Sequence, residues 1–164
     1  MRAVVVFVGP GAGRPGGVST WLRLMVPMLR AQGWAPPIEH FVTDKRHGGA
    51  GTLGQRLIDG GEVSARLGVW LARRRPRVVH IHCGSGWSLR EAAVHAALAV
   101  GVRARVIVHL HAASLHDHWD ATPWERPAIA GLLARVDGVA VLSPGTAIAL
   151  QGLGLRARWA VVPN

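Results

Sequence analysis

Short β-branched runs alternate with segments of helical periodicity along almost the whole chain, and that alternation leaves few folds open. Residues 3–8, 38–42, 78–82, 105–110, 138–142 and 159–162 read as strands. The first is closed by Gly9 and Pro10. Its unbroken apolar character is that of a strand buried on both faces. Between the first two strands, Val18, Trp21, Leu22, Met25 and Leu29 recur at the spacing of one helical face until Gly33. Pro27 lies inside that pattern, where a missing N–H and a crowded carbonyl predict a kink. Leu67, Trp70 and Leu71 mark a second helix, with Arg73, Arg74 and Arg75 at its negative end and Pro76 as its stop.

Start signals support the later helices. Ser88 and Glu91 form an S-x-x-E pattern that predicts a capped helix from near Leu89 to Gly101. T-P-W-E predicts another, with Thr122 as cap, Pro123 in the first position and Glu125 reaching back; it should run to about Arg135. Ser143 and Pro144 open the last. The glycine-rich residues 48–54 show no periodicity and read as a mobile surface loop. Strand and helix in regular succession predict an α/β fold: a Rossmann-like parallel sheet with helices on both faces. The chain's 164 residues fit one domain, residues 1–164, around one core.

Composition narrows the function classes. A net charge of +10 suits an anionic partner, but eighteen of the nineteen basic residues are Arg, spread along the chain, with Lys45 the only Lys. Tyr is absent and Phe occurs twice, so a nucleic-acid stacking surface is not supported. No run approaches the roughly 20 apolar residues of a membrane span, and no cleavable leader is apparent, which predicts a cytoplasmic protein. The single Cys83 excludes an internal disulfide and reads as a buried small residue rather than a nucleophile. Lack of Tyr also excludes short-chain dehydrogenase chemistry.

In parallel sheets ligands collect beyond the carboxyl ends of the strands. Here those ends are residues 9–17, 82–87, 111–118 and 143–146. In the first, G-G-V-S runs directly into a helix, so Gly16 and Gly17 are candidates to bring backbone N–H groups to a phosphate. The loop does not fit G-x-G-x-x-G cleanly, and Glu39 is a poor ribose-binding acid; a turn needing glycine only for shape is the competing reading.

Histidine is concentrated at the strand ends, as H-I-H-C at 80–83, H-L-H at 109–111 and H-D-H at 116–118. His80 and His109 alternate with apolar neighbours and read as hydrogen-bonded sheet residues. His82 and His111 stand one step further out, where imidazole can bond a sugar hydroxyl or assist charge movement. An H-x-H pair also suits metal, and a metal-dependent hydrolase is one alternative function. Against it, no C-x-x-C, H-E-x-x-H or further ligand motif completes a set, and an H-x-H hydrolase barrel needs more than about 200 residues. Asp117 and Asp120 lie too close in one loop to suggest a paired-carboxylate glycosidase.

Taken in order, G-P-G-A-G-R-P-G-G-V-S-T-W-L, V-V-H-I-H, V-I-V-H-L-H, V-A-V-L-S-P-G-T and V-V-P-N resemble the N-terminal domain of family 4 glycosyltransferases, enzymes of the GT-B fold. The resemblance spans nearly the whole chain. It implies transfer of a sugar from a nucleotide-sugar donor to a sugar or lipid-linked acceptor, with retention of configuration and without cofactor or metal. It implies that Gly16 and Gly17 approach the donor diphosphate and that His111, the catalytic candidate, lies beside the donor sugar. His82, Gly84, Ser85, Gly86 and Trp87 match an acceptor-side segment, and Ser143 and Thr146 belong to the matching turn after the fifth strand. Family members continue into a second Rossmann-like domain that binds the donor nucleotide. The expected partners are therefore the nucleotide-sugar, the acceptor and a C-terminal donor-binding domain, in cis or as a separate subunit; alone, this half is expected to be nearly inactive. Peripheral contact with the inner face of an anionic membrane fits the Arg residues, and no nucleic acid is expected. A noncatalytic module binding a glycan or an anionic lipid is the other alternative.

Overall fold

A computed structural model of the chain describes residues 4–11, 13, 15–34, 37–47, 51–112, 122–152, 154 and 157–163. His116, Asp117, His118 and Asp120 lie outside the described residues. In chain order the elements are β1 (Val5–Gly9), α1 (Gly17–Ala31), β2 (Ile38–Val42), α2 (Leu53–Arg74), β3 (Val78–Cys83) and α3 (Trp87–Gly101). There follow β4 (Arg105–Leu110), a short 3₁₀ turn (Pro123–Glu125), α4 (Arg126–Leu133), β5 (Gly138–Val141), α5 (Pro144–Gly152) and β6 (Trp159–Val161).

All six strands are parallel, in the order β2-β1-β3-β4-β5-β6. The chain leaves β1 for one side and, after β2, returns to the other, so the strand order reverses between β1 and β3. A crevice at that reversal is where open α/β sheets hold ligands.

Strand alternation sorts the side chains into two layers. One face carries Val6, Val8, Val79, Ile81, Val108 and Val141, packed against Leu67 and Leu71 of α2, the alanines of α3, Leu133 of α4 and Leu150 of α5. Each such leucine, fully buried, contributes about 1.5–3 kcal/mol relative to exposure. Ala92, Ala96 and Ala99 let α3 lie close to the sheet. The other face carries Phe7 and Ile38 beneath Trp21 and Leu22 of α1. That second face also holds the histidines of β3 and β4.

Several helix starts differ from the sequence expectation. The first turn of α3 begins at Trp87 behind Gly86, with no side-chain cap, because Ser88 and Glu91 are engaged elsewhere. Thr122 precedes a 3₁₀ turn and likewise makes no side-chain cap bond, while the Glu125 carboxylate pairs with Arg90 instead of reaching back. Conversely, the segment read as a loop ends early. Thr52 and Gln55 form a reciprocal capping box, and Gly54 already lies inside α2. The Ser143 cap is as expected, its Oγ accepting the Thr146 N–H at 3.1 Å. Arg75, in left-handed conformation, closes α2 before Pro76.

Candidate functional site

The crevice between the ends of β1 and β3 is a cleft of about 500 Å³. Gly16, Gly17, His82, Trp87, Lys45 and His95 line it. β1, α1, α2, β3 and α3 supply its walls, and small residues set its shape. A Cβ on Gly9 would stand 2.9 Å from Leu22 Cδ1 and 3.4 Å from His82 Cβ, so Leu22 of α1 sits where a larger residue would crowd it. Gly16 adopts φ 135°, a conformation costly to any residue with a Cβ. Gly17 then opens α1, whose first turn holds no acidic residue and no side-chain cap. The first N–H groups of a helix have no intrahelical acceptor, and here Gly17, Val18 and Ser19 of that first turn line the cleft at the positive end of the helix dipole.

The opposite wall is polar and was not foreseen. After β2, Asp44 accepts the Gly11 N–H at 2.9 Å and ties the two loops together. Next to it Lys45 pairs with Glu91 of α3 at 2.5 Å, and the same carboxylate oxygen accepts the Trp87 indole N–H at 2.7 Å. Trp87 is thereby held as one rim of the cleft, its ring flanked by the Arg90 guanidinium at 5.5 Å. Gly60 of α2 gives Glu91 its place: a Cβ there would lie 2.9 Å from the carboxylate. Deeper, His95 is 4 % exposed with no hydrogen-bond partner for Nε2 among the described residues. Burial first, and the Lys45 charge second, hold its pKa down to about 4. A lone Lys and a histidine in an Ala-rich helix carry no periodic signal, which is why sequence reading passed over both.

Around the sheet's carboxyl edge, the histidines of β3 and β4 meet. His82 pairs in register with His109, and His82 Nδ1 lies 3.0 Å from His111 Nε2. Trp21 covers all of them, its ring centroid 4.6 Å from that of His82 and 5.8 Å from that of His111. Burial, then neighbouring histidine charge, lowers the pKa of His80 to about 4 and that of His109 to about 3. The Val162 backbone pulls His109 weakly the other way without meeting hydrogen-bond geometry at either ring nitrogen. His82 is likewise held well below its ordinary value, mainly by burial. All three are neutral near pH 7.

The structure therefore brings Gly16, Gly17, His82 and Trp87 together in one cleft. Gly84, Ser85 and Gly86 form the turn between β3 and α3, beside Trp87 but not lining the cleft, the Gly84 N–H bonding Ser88 Oγ. His111 reaches the cleft through His82 rather than lining it. Ser143 and Thr146 sit beyond β5, on the far side of β4, with their hydroxyls 3.0 Å apart in the α5 cap. Cys83 is buried, its thiol pushed up to about 12, as suits a core residue.

A parallel sheet with an uncapped glycine turn and an aromatic-rimmed cleft at its point of strand reversal defines a Rossmann-like α/β domain. The chain belongs to the glycosyl transferase 4-like domain family, whose sequence profile matches residues 2–164. No curated protein matches the sequence. Among solved structures, sucrose-phosphate synthase from Thermosynechococcus elongatus shares the fold, with a TM-score of 0.69 at 12% identity over 99% of this chain. The match takes in 48% of that structure, so the chain spans about half its length. No helix among the described residues is long and apolar enough to cross a membrane.

Proposed function

We propose that this domain is the acceptor-side half of an enzyme that moves a sugar from a nucleotide-sugar to an acceptor, with retention and with no metal in the transfer step. What carries the reading is one juxtaposition: the open N–H turn at Gly16 and Gly17 faces His82 and the Trp87 rim across a cleft of about 500 Å³. A donor diphosphate brought by a second lobe would meet the first-turn amides of α1, whose N–H groups and dipole offset phosphate charge without reorganisation. An acceptor sugar would lie against the Trp87 ring, its hydroxyls within reach of Lys45, Glu91 and His82. The departing phosphate then takes the acceptor proton while the site stabilises an oxocarbenium-like transition state. In this scheme His111 acts beside the donor sugar, oriented by its bond to His82. Ser143 and Thr146, whose hydroxyls cap α5, lie toward the outer end of the acceptor surface.

The sucrose-phosphate synthase likeness supports this two-lobed arrangement through the fold alone. The test supplies a donor-binding domain, fused or in trans, and follows sugar transfer from nucleotide-sugars. Gly17→Val should abolish turnover while leaving the fold intact, because nothing lies within 4 Å of a Cβ at Gly17 yet a branched side chain would fill the phosphate approach. Turnover that survives both Gly17→Val and His111→Ala defeats the site assignment. Binding to anionic vesicles with steep salt dependence and no turnover in any pairing would favour a noncatalytic module.

A further inference from the structure

Two H-x-H pairs on adjacent parallel strands have a consequence that neither pair has alone. Residues two apart on a strand face one side, and register sets His82 of β3 beside His109 of β4. Three imidazoles thus converge beneath Trp21: one ring nitrogen from each of His80, His82 and His109 lies within 4.8 Å of the others. His82 and His109 are almost fully buried, and the chain surrounds the His80 ring nitrogen as well. Buried polar atoms are normally paired. Yet His80 Nε2, His82 Nε2 and both nitrogens of His109 have no hydrogen-bond partner among the described residues.

We propose that His80, His82 and His109 form a three-nitrogen site for a divalent first-row transition metal of the zinc class, held as a structural ion behind the cleft. Imidazole nitrogen suits zinc, copper and nickel, and the carboxylates that would favour magnesium or calcium are absent from the cluster. Zinc bonds of about 2.0–2.1 Å would set the three nitrogens about 3.4 Å from one another, inside the 4.8 Å that now spans them. When His82 donates from Nδ1 to His111 Nε2, its Nε2 keeps a lone pair free for a metal, the way a ligating histidine is fixed by a second partner. Ion binding would then fix the His82 ring that lines the cleft, without the metal entering the transfer chemistry.

The experiment uses the full chain, stripped with chelator and titrated with Zn²⁺ or Co²⁺ under calorimetry, with X-ray absorption on the zinc-loaded protein. One equivalent bound, three or more imidazoles in the zinc shell and a higher Tm on loading are expected. His109→Gln and His80→Gln should each weaken binding at least about a hundredfold and remove the Tm gain, whereas His95→Gln, outside the cluster, should keep both. If the cluster variants fail to fold, the imidazole count on the unmodified chain decides. Fewer than three imidazoles, no stoichiometric uptake, or binding unchanged by His109→Gln would overturn the proposal.

Discussion

His82 and His111 are 29 residues apart in sequence and 3.0 Å apart in space, and their bond couples a cleft wall to the strand end beyond it. The coupling arises because β3 and β4 are neighbours in register, with His82 near the end of β3 and His111 just past the end of β4. His82 is 4 % exposed, so its ring cannot turn to water if the partner is lost. His111→Ala should leave the fold intact and lower kcat for sugar transfer by about 10²-fold, the range of a positioned general acid–base group. His82→Gln, which keeps a side-chain donor near His111, should retain more activity than His82→Ala. Equal loss in both would mean that the bond does not orient His111; steady-state kinetics with a supplied donor lobe measures it.

Acid stability should report His95. Its pKa is about 4 in the fold, against an ordinary value of 6.5, because the ring is buried and Lys45 stands near. Between those values the unfolded chain binds a proton that the folded chain does not. The stabilisation from keeping this ring neutral is complete above pH 6.5, falls as pH drops toward 4, and levels off below it. The loss from this one group is about 3 kcal/mol. Urea unfolding at successive pH values should show His95→Gln with a shallower acid decline than the unmodified protein. Parallel profiles would show that His95 takes up its proton as readily folded as unfolded.

Gly9→Ala sets two effects against each other. Adding a Cβ inside a strand reduces backbone entropy loss by about 0.5–1 kcal/mol. The same Cβ stands 2.9 Å from Leu22 Cδ1, and Leu22 is 2 % exposed, so its methyl must shift within a packed core. Overpacking costs about 1–3 kcal/mol and should win. Thermal unfolding should show a Tm lower by a few degrees. An unchanged Tm would mean that α1 does not sit tightly on the end of β1.

The strand ladder is legible in the sequence because strands buried on both faces are continuous apolar runs, and β-branched residues in runs too short for a helix favour strand. The two ends of the site are legible for a similar reason: Gly16 and Gly17 precede a periodic segment, and His82 ends a run. Helix starts are less so, because a cap pattern records what a side chain can do and not what competes for it. Glu91 fits S-x-x-E, but the Trp87 indole and the Lys45 ammonium both reach its carboxylate. The wall joins Glu91 and His95 of α3 to Lys45 in the loop after β2, and no local spacing announces that meeting.

Thr52→Ala tests the cap that the glycine-rich context conceals. Thr52 Oγ1 accepts the Gln55 N–H at 3.3 Å, and Gln55 Oε1 accepts the Thr52 N–H at 2.8 Å. Removing the hydroxyl should cost about 1 kcal/mol. The matching change in α3, Ser88→Ala, removes no helix cap, so far-UV circular dichroism of that variant should retain full helicity. A greater helix loss in Ser88→Ala than in Thr52→Ala would reverse the assignment of caps.

Arg90→Ala should be the most damaging single change on the cleft's outer side. Arg90 pairs with the buried carboxylate of Glu125 and lies over both Trp87, at 5.5 Å, and Trp124, at 5.6 Å. One guanidinium therefore joins α3 to the turn that leads into α4. Truncating it leaves a carboxylate that is 6 % exposed without this charge, a loss of about 3–5 kcal/mol where a buried pair is broken. Exposure of the Arg90 end moderates the figure, because water already screens that partner. Replacing Glu125 by Gln at the same time removes the charge left behind and should recover part of the loss. Chemical denaturation of both variants decides the matter: a double variant no more stable than Arg90→Ala would assign the loss to the stacking on Trp87 and Trp124 rather than to the ion pair.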